Sequence, residues 1–314
     1  MRALLVGCGS VGRRHLGNLL KLANIEHVFI HTKVPHPLEG LDRHKVEVVD
    51  SLDDIRADFA IVANETYKHL STATFLAKRG INLFIEKPLS HSLEGVDVLK
   101  ALVAEKRLKV FVGYNLRFLD AMSYIKGQLS KGVIGELCFA RIEVGQYLPA
   151  WRPERDYRQF YSANREKGGG VSLDLSHEVD YMRFLFGEPG CWKVIKSKAS
   201  RLEIDAEDLF EGIFRYDSGF VCSVHMDYLQ REKMRQMRVV GSEGTLSCDF
   251  IKGSIEIRGN NAHTILNDKD MFDMDRTYLN ELSHFVESIE KDTAPCITLE
   301  DGIAALRLLE DGNV

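Results

Sequence analysis

The chain has 314 residues, 45% of them hydrophobic and 28% charged, a balance that fits a globular protein of about two domains. A net charge of −5 excludes a general pull towards nucleic acid or an anionic membrane, and Lys106-Arg107-Leu108-Lys109 reads as a solvated helix end. Six scattered cysteines with no Cys-x-x-Cys exclude a disulfide framework and predict a cytoplasmic setting, while eleven histidines without zinc-type spacing predict no metal.

In chain order, the opening apolar run is too short for a signal peptide, and no stretch predicts a membrane span. Short apolar runs at 3–6, 28–31, 46–49, 59–62, 82–85 and 110–113 alternate with helical spacing at 11–23, 66–79 and 92–106. This is the pattern of a parallel α/β sheet, and it predicts a Rossmann-type domain over residues 1–118. Residues 119–314 are expected to form a second, α+β domain, with substrate binding and oligomerisation as its expected roles. It starts with a helix at 120–130 and a strand-like run at 136–147. A polar, aromatic loop at 150–170 and a helix at 172–186 follow. From 192 to 258 the period is two, as in a large, mostly antiparallel sheet. Phe220, Cys222, Val224, Met226 and Tyr228 share one face there, with Ser223, His225 and Asp227 on the other. Helices at 276–290 and 299–310 close the chain, too few to cover both faces of the sheet. An apolar face left open predicts a homodimer or homotetramer.

The strand at 3–6 runs into Gly7-Cys8-Gly9-Ser10-Val11-Gly12, the spacing G-x-G-x-x-G before a helix. Gly7 permits the tight turn, Gly9 lets backbone approach a pyrophosphate, and Gly12 allows close helix–strand contact. Ser10 and Val11 stand at a helix N-terminus, whose N–H groups and partial positive charge suit phosphate. The residues therefore predict NAD or NADP as cofactor. An acidic residue about 20 positions on would select NAD, but the place reads Ile30-His31-Thr32-Lys33. Thr32 can donate to a ribose and Lys33 can pair with a 2′-phosphate, a slight lean to NADP; Lys33 as a solvated loop residue fits equally well. Glu86-Lys87-Pro88 follows the fifth run, placing an ionisable lysine where such a sheet opens onto its ligand crevice.

With these motifs and Gly168-Gly169-Gly170…Asp174…His177…Asp180, the chain resembles the Gfo/Idh/MocA family over nearly its whole length. The resemblance implies an N-terminal Rossmann domain, a C-terminal α/β domain, and oxidation or reduction of sugars, inositols or sugar nucleotides with NAD or NADP. It also implies association through the C-terminal sheet. Lys87 matches the family's active-site lysine, its bond to Pro88 one that is often cis there, and His177 its catalytic histidine. Asn64, Thr66, His69, Glu86 and Asn115 fall beside the cofactor on the same resemblance. Inositol-dehydrogenase-like members carry an aspartate four residues before that histidine, whereas Asp174 lies three before His177.

An imidazole suits the proton step of carbinol oxidation, so His177 is the expected general base, with Lys87 stabilising the developing alkoxide. Helical spacing places Asp174, His177 and Asp180 on one face, where a carboxylate orients the ring. Glu86 pairs locally or positions its loop. Tyr147, Trp151, Arg152, Tyr157, Arg158 and Tyr161 supply ring faces and guanidinium groups for an anionic sugar or sugar nucleotide, with Asp174 as a further substrate contact. The same aromatics equally suit a loop pinned at a contact. Two other functions stay open: a glycosidase or lyase that uses bound NAD transiently, and a binding regulator without turnover.

Overall fold

Strands that are apolar on both sides need cover on both sides, which a parallel sheet flanked by helices provides. The computed structural model describes residues 1–34, 44–260 and 263–311. It forms such a sheet from β1 (Arg2–Val6), β2 (His27–His31), β3 (Val46–Val48), β4 (Phe59–Val62), β5 (Asn82–Glu86) and β6 (Val110–Gly113). The order is β3-β2-β1-β4-β5-β6, all parallel, with Leu4, Leu5, Ile61, Phe84 and Phe111 fully buried. Helices α1 (Ser10–Leu19), α2 (His69–Lys78) and α3 (Val96–Lys106) make the crossovers that parallel pairing demands. They are shorter than the apolar spacing predicts. Thr66–Lys68 is a tighter 3-10 turn, and Gly95, at φ 79°, sets the later start of α3.

The second sheet has eight strands. After α4 (Asp120–Ser130) come β7 (Leu137–Gly145), α5 (Val171–Asp174), α6 (His177–Phe186), β8 (Cys191–Ser197), β9 (Leu209–Arg215) and β10 (Val221–Asp227). The strands β11 (Met234–Gly241), β12 (Gly244–Asp249), β13 (Ser254–Gly259) and β14 (His263–Leu266) complete it. The order is β14-β13-β12-β11-β7-β10-β9-β8, antiparallel except where β7 and β10 run side by side in parallel.

One face carries Cys222, Val224, Met226, Met237, Val239 and Leu246, all buried. The expectation of an open apolar face is corrected here. The apolar face is the covered one. The opposite face is mixed, with Ile195, Ile213, Phe139 and Ile265 exposed in the same rows as Arg141, Arg238 and Glu211.

A second correction concerns the helix predicted over 172–186. It is two helices, α5 and α6, broken at Leu175 and Ser176, with Leu175 at φ −104°, ψ 24°. The charges of α6 explain why it sits as it does. Glu178 is fully buried and accepts from Arg235 of β11 at 2.8 Å, and Asp180 is held by Arg117.

The last helices are α7 (Met274–Glu290) and α8 (Leu299–Leu308). One compact unit comprises 1–115 and 275–306, the other 116–274 and the chain from Arg307. The first unit is discontinuous because α7 returns to the parallel sheet. Phe285 packs its ring against Phe59, Phe84 and Phe111 at 5.6, 5.8 and 6.0 Å. Fully burying such a side chain is worth about 1.5–3 kcal/mol.

Candidate active site and cofactor cradle

β1 ends at Val6 and α1 begins at Ser10, so the chain must reverse within Gly7–Gly9. Gly7 does so at φ +94°, with the carbonyl of Ala63 and the N–H of Asn64 so close that a Cβ would lie 2.5 Å from each. A Cβ on Gly12 would lie 2.1 Å from the Gly7 carbonyl oxygen. Gly9 differs: a Cβ there meets nothing within 4 Å, so this glycine keeps a surface open rather than relieving a clash. Among the described residues no side chain caps the start of α1, and its first turn carries no acidic residue. Such a helix start, with its free amides and the positive end of its dipole, suits an anion.

Around this loop, the Thr32 hydroxyl oxygen accepts from the amides of Cys8 and Val34 at 3.2 and 3.1 Å, which leaves its own proton to donate. Lys33 lies near Glu65. Burial pushes that carboxyl up, but the Lys68 hydrogen bond, with smaller help from Lys33, holds it below its usual range. Asn64, at the end of β4, donates to Thr72 Oγ1 at 2.9 Å, while its Oδ1 is buried without a partner among the described residues. An orphaned acceptor and an unfilled glycine surface, both at the carboxyl ends of strands, fit a dinucleotide.

Thr66 is buried in the turn before α2. His69 is buried at the start of α2. Its two nitrogens face the carbonyl oxygens of Pro88 and Asn64 at 2.9 and 3.0 Å. The ring joins two loops of the cradle, and burial lowers its pKa.

Lys87 follows β5 directly, and its bond to Pro88 is cis. Glu86 pairs locally: Oε2 accepts from the Lys87 amide at 3.2 Å and Oε1 lies 2.5 Å from His15 Nε2. Asn115 donates to Thr277 of α7 at 2.6 Å. His15, Glu86 and Glu281 bring three ligand-type atoms within 4.8 Å of one another. Ligands about 2 Å from one ion sit about 3 Å apart, so the 2.5 Å contact is a hydrogen bond, not half of a metal site.

In the second unit a break at Leu175 and Ser176 divides α5 from α6. Asp174 accepts from Tyr228 at 2.6 Å, and its charge helps to raise the pKa of the Tyr161 phenol, behind burial. Asp180 accepts from Arg117 Nε and Nη2 at 2.9 and 2.6 Å. His177 opens α6 and is 8% exposed.

Trp151 meets Tyr228 edge to face at 5.3 Å, and Arg152 is close enough to Tyr161 to act on its phenol. Tyr147 stacks under the Arg231 guanidinium at 3.5 Å. Tyr157 and Arg158 are not part of this group. The Tyr157 hydroxyl accepts from the Glu203 amide, and Arg158 is gripped by Asp156 and Glu203 at 2.8 and 2.7 Å. That ion pairing leaves little of the guanidinium for a ligand.

Sequence reasoning placed Tyr228 only in an apolar row and passed over His15, Glu281 and Arg231. A tyrosine ending an apolar row beside Asp227 was the available signal.

Two family models match the chain: the oxidoreductase family's NAD-binding Rossmann fold over residues 1–114 and its C-terminal alpha/beta domain over 126–312. Among curated relatives, the chain is 27% identical to a 1,5-anhydro-D-fructose reductase of Ensifer adhaerens, covering 81% of this chain and 75% of the relative. It is 25% identical to an inositol 2-dehydrogenase of Rhizobium meliloti, covering 98% and 94%. Among solved structures, the WlbA dehydrogenase from Bordetella pertussis in complex with NADH and UDP-GlcNAcA superposes with a TM-score of 0.85 at 21% identity, covering 98% and 93%. At that identity the likeness is one of fold.

Proposed function

The chain belongs to the Gfo/Idh/MocA oxidoreductase family, and from that premise we propose that it moves hydride between a nicotinamide dinucleotide and a carbinol of a sugar, an inositol or a sugar nucleotide. The observation that carries this reading is the cradle, in which, among the described residues, Gly9 is open at an uncapped helix start and Asn64 Oδ1 has no partner. The substrate class follows from the second unit. Trp151, Tyr161 and Tyr228 gather ring surface around the Asp174 carboxylate, and ring faces with a few placed polar groups suit sugar C–H surfaces and hydroxyls. The relatives named inositol dehydrogenase and anhydrofructose reductase support the same class.

Gly7, Gly9, Ser10, Val11 and Gly12 hold the pyrophosphate, with Asn64, Asn115 and Thr32 along the rest of the cofactor. When bound, the nicotinamide ring accepts or supplies the hydride. His177 takes the hydroxyl proton as general base, the Lys87 ammonium stabilises the charge left on oxygen, and Asp174 positions the substrate. Without a carboxylate after β2, Thr32 and Lys33 accommodate a 2′-phosphate, so NADP binds at least as well as NAD. Glu65 draws on the same lysine charge and keeps the preference small.

The open face of the second sheet, with Ile195, Ile213, Phe139 and Ile265 exposed, joins copies into a homodimer or homotetramer. Light scattering showing a monomer at micromolar concentration would count against it. Scattered cysteines support a cytoplasmic setting.

The test is a panel of inositols, free sugars and UDP-sugars with NAD and NADP, read at the reduced-nicotinamide band. His177→Ala and Lys87→Ala should each lose about 10²–10⁴-fold in turnover while keeping NADH binding. Near-normal turnover in either variant refutes its assigned role. A product formed without net NADH would favour transient use of the cofactor.

A further inference from the structure

We propose that His15 and Glu281 are positioning residues for Lys87, acting through the Glu86 carboxylate; the inference rests on the reading of Lys87 given above. His15 is fully buried on α1, the helix that starts under the cradle, and its Nε2 lies 2.5 Å from Glu86 Oε1. The other Glu86 oxygen accepts from the Lys87 amide at 3.2 Å. A single carboxylate therefore ties the pyrophosphate helix to the main chain of Lys87. The His15 ring is wedged edge-on between Phe84 and Tyr278 at 5.0 and 6.0 Å, which fixes its orientation.

From α7, Glu281 brings a fully buried carboxyl to the same place, and neither of its oxygens has a hydrogen-bond partner among the described residues. Burial, then the Glu86 charge, push its pKa well above the ordinary range. The Glu281 carboxyl lies within 4.8 Å of the Glu86 and His15 atoms that meet, so it closes off the contact that Glu86 makes with His15 and the Lys87 amide. Apolar side chains of similar volume would serve a merely structural core as well or better. The buried polar cluster specifies a geometry, and what adjoins it is Lys87.

The experiment needs no substrate. Lys87 is acylated with acetic anhydride, with and without NADH, and quantified by peptide mass spectrometry. In the wild type NADH slows labelling severalfold. His15→Leu keeps NADH affinity within about threefold but loses that protection. His15→Gln, whose Nε2 can stand where the ring nitrogen stands, restores it. Glu281→Leu loses protection and Glu281→Gln, which keeps the length and a polar head group, keeps it. If His15→Leu does not fold, the shorter polar His15→Asn takes its place with the same expectation. Protection that survives His15→Leu, or is lost equally in His15→Gln, overturns the inference while leaving Lys87 at the nicotinamide. If the wild-type lysine is not protected at all, the reading of Lys87 fails and this inference falls with it.

Discussion

Tyr228 donates its phenol proton to Asp174 Oδ2 at 2.6 Å, tying the end of β10 to α5 across 54 residues of chain. Burial, then the Asp174 carboxylate, hold that phenol well above its usual pKa, so it remains a donor throughout the neutral range. Tyr161 lies close enough to the same carboxylate for the two to influence each other. Tyr228→Phe should cost about 1–3 kcal/mol in urea unfolding, the usual penalty for leaving a buried acceptor short of a partner. It should raise KM more than it lowers kcat. Asp174→Ala should reduce turnover less than His177→Ala; the reverse ranking would make Asp174 the group that moves the proton.

The glycines of the cradle should separate folding from binding. Gly12→Ala forces a Cβ to 2.1 Å from the Gly7 carbonyl, whereas Gly9→Ala meets open space. Thermal melts should show Gly12→Ala destabilised by several degrees and Gly9→Ala unchanged. NADH titration should nonetheless show weakened binding in Gly9→Ala, because its methyl occupies the surface that a pyrophosphate needs. Unaltered affinity in that variant would remove Gly9 from the site.

Arg117 and Asp180 form a pair that is 9% and 1% exposed. Breaking such a pair from one side leaves a buried charge without its partner, so Arg117→Leu should cost about 3–5 kcal/mol in chemical denaturation. Arg117→Leu combined with Asp180→Leu should recover part of this, although Arg183, 4.0 Å from Asp180, then loses a neighbour as well. A double variant no better than the single one would show that the carboxylate serves Arg183 as much as Arg117.

His225 lies between Asp227 and Glu211 at 2.9 and 2.6 Å. The Asp227 hydrogen bond, against the cost of burial and with help from Glu211, raises its pKa to about 9. The folded pKa exceeds the unfolded value of about 6.5, so the stabilisation is complete below pH 6.5 and is lost as pH rises through 9. The ceiling is about 3 kcal/mol, and solvent around Glu211 reduces it to about 1–2 kcal/mol. Stability measured across that window should decline in the wild type and stay flatter in His225→Gln. Parallel curves would place the pH dependence elsewhere.

Much of the first unit was legible because its information is local. Gly7, Gly9 and Gly12 each meet a constraint set within a few residues, and the apolar runs of β1, β4, β5 and β6 are what strands buried on both faces require. The return of α7 was not legible. Its apolar stripe at Leu282, Phe285 and Val286 announces a covered face without saying which sheet covers it.

The sequence by itself determined the order of elements, the cofactor loop and the lysine after β5, because spacing and side-chain chemistry suffice for these. Only the tertiary structure decided the partners of the charges and phenols. Asp174, His177 and Asp180 are spaced as one helical face, yet the break at Leu175 sends Asp174 to Tyr228, and Asp180 is taken by Arg117. His15 and Glu86 are separated by 71 residues and meet at 2.5 Å. A buried polar group must be satisfied by whatever donor or acceptor the fold brings within reach, and sequence spacing does not encode that distance.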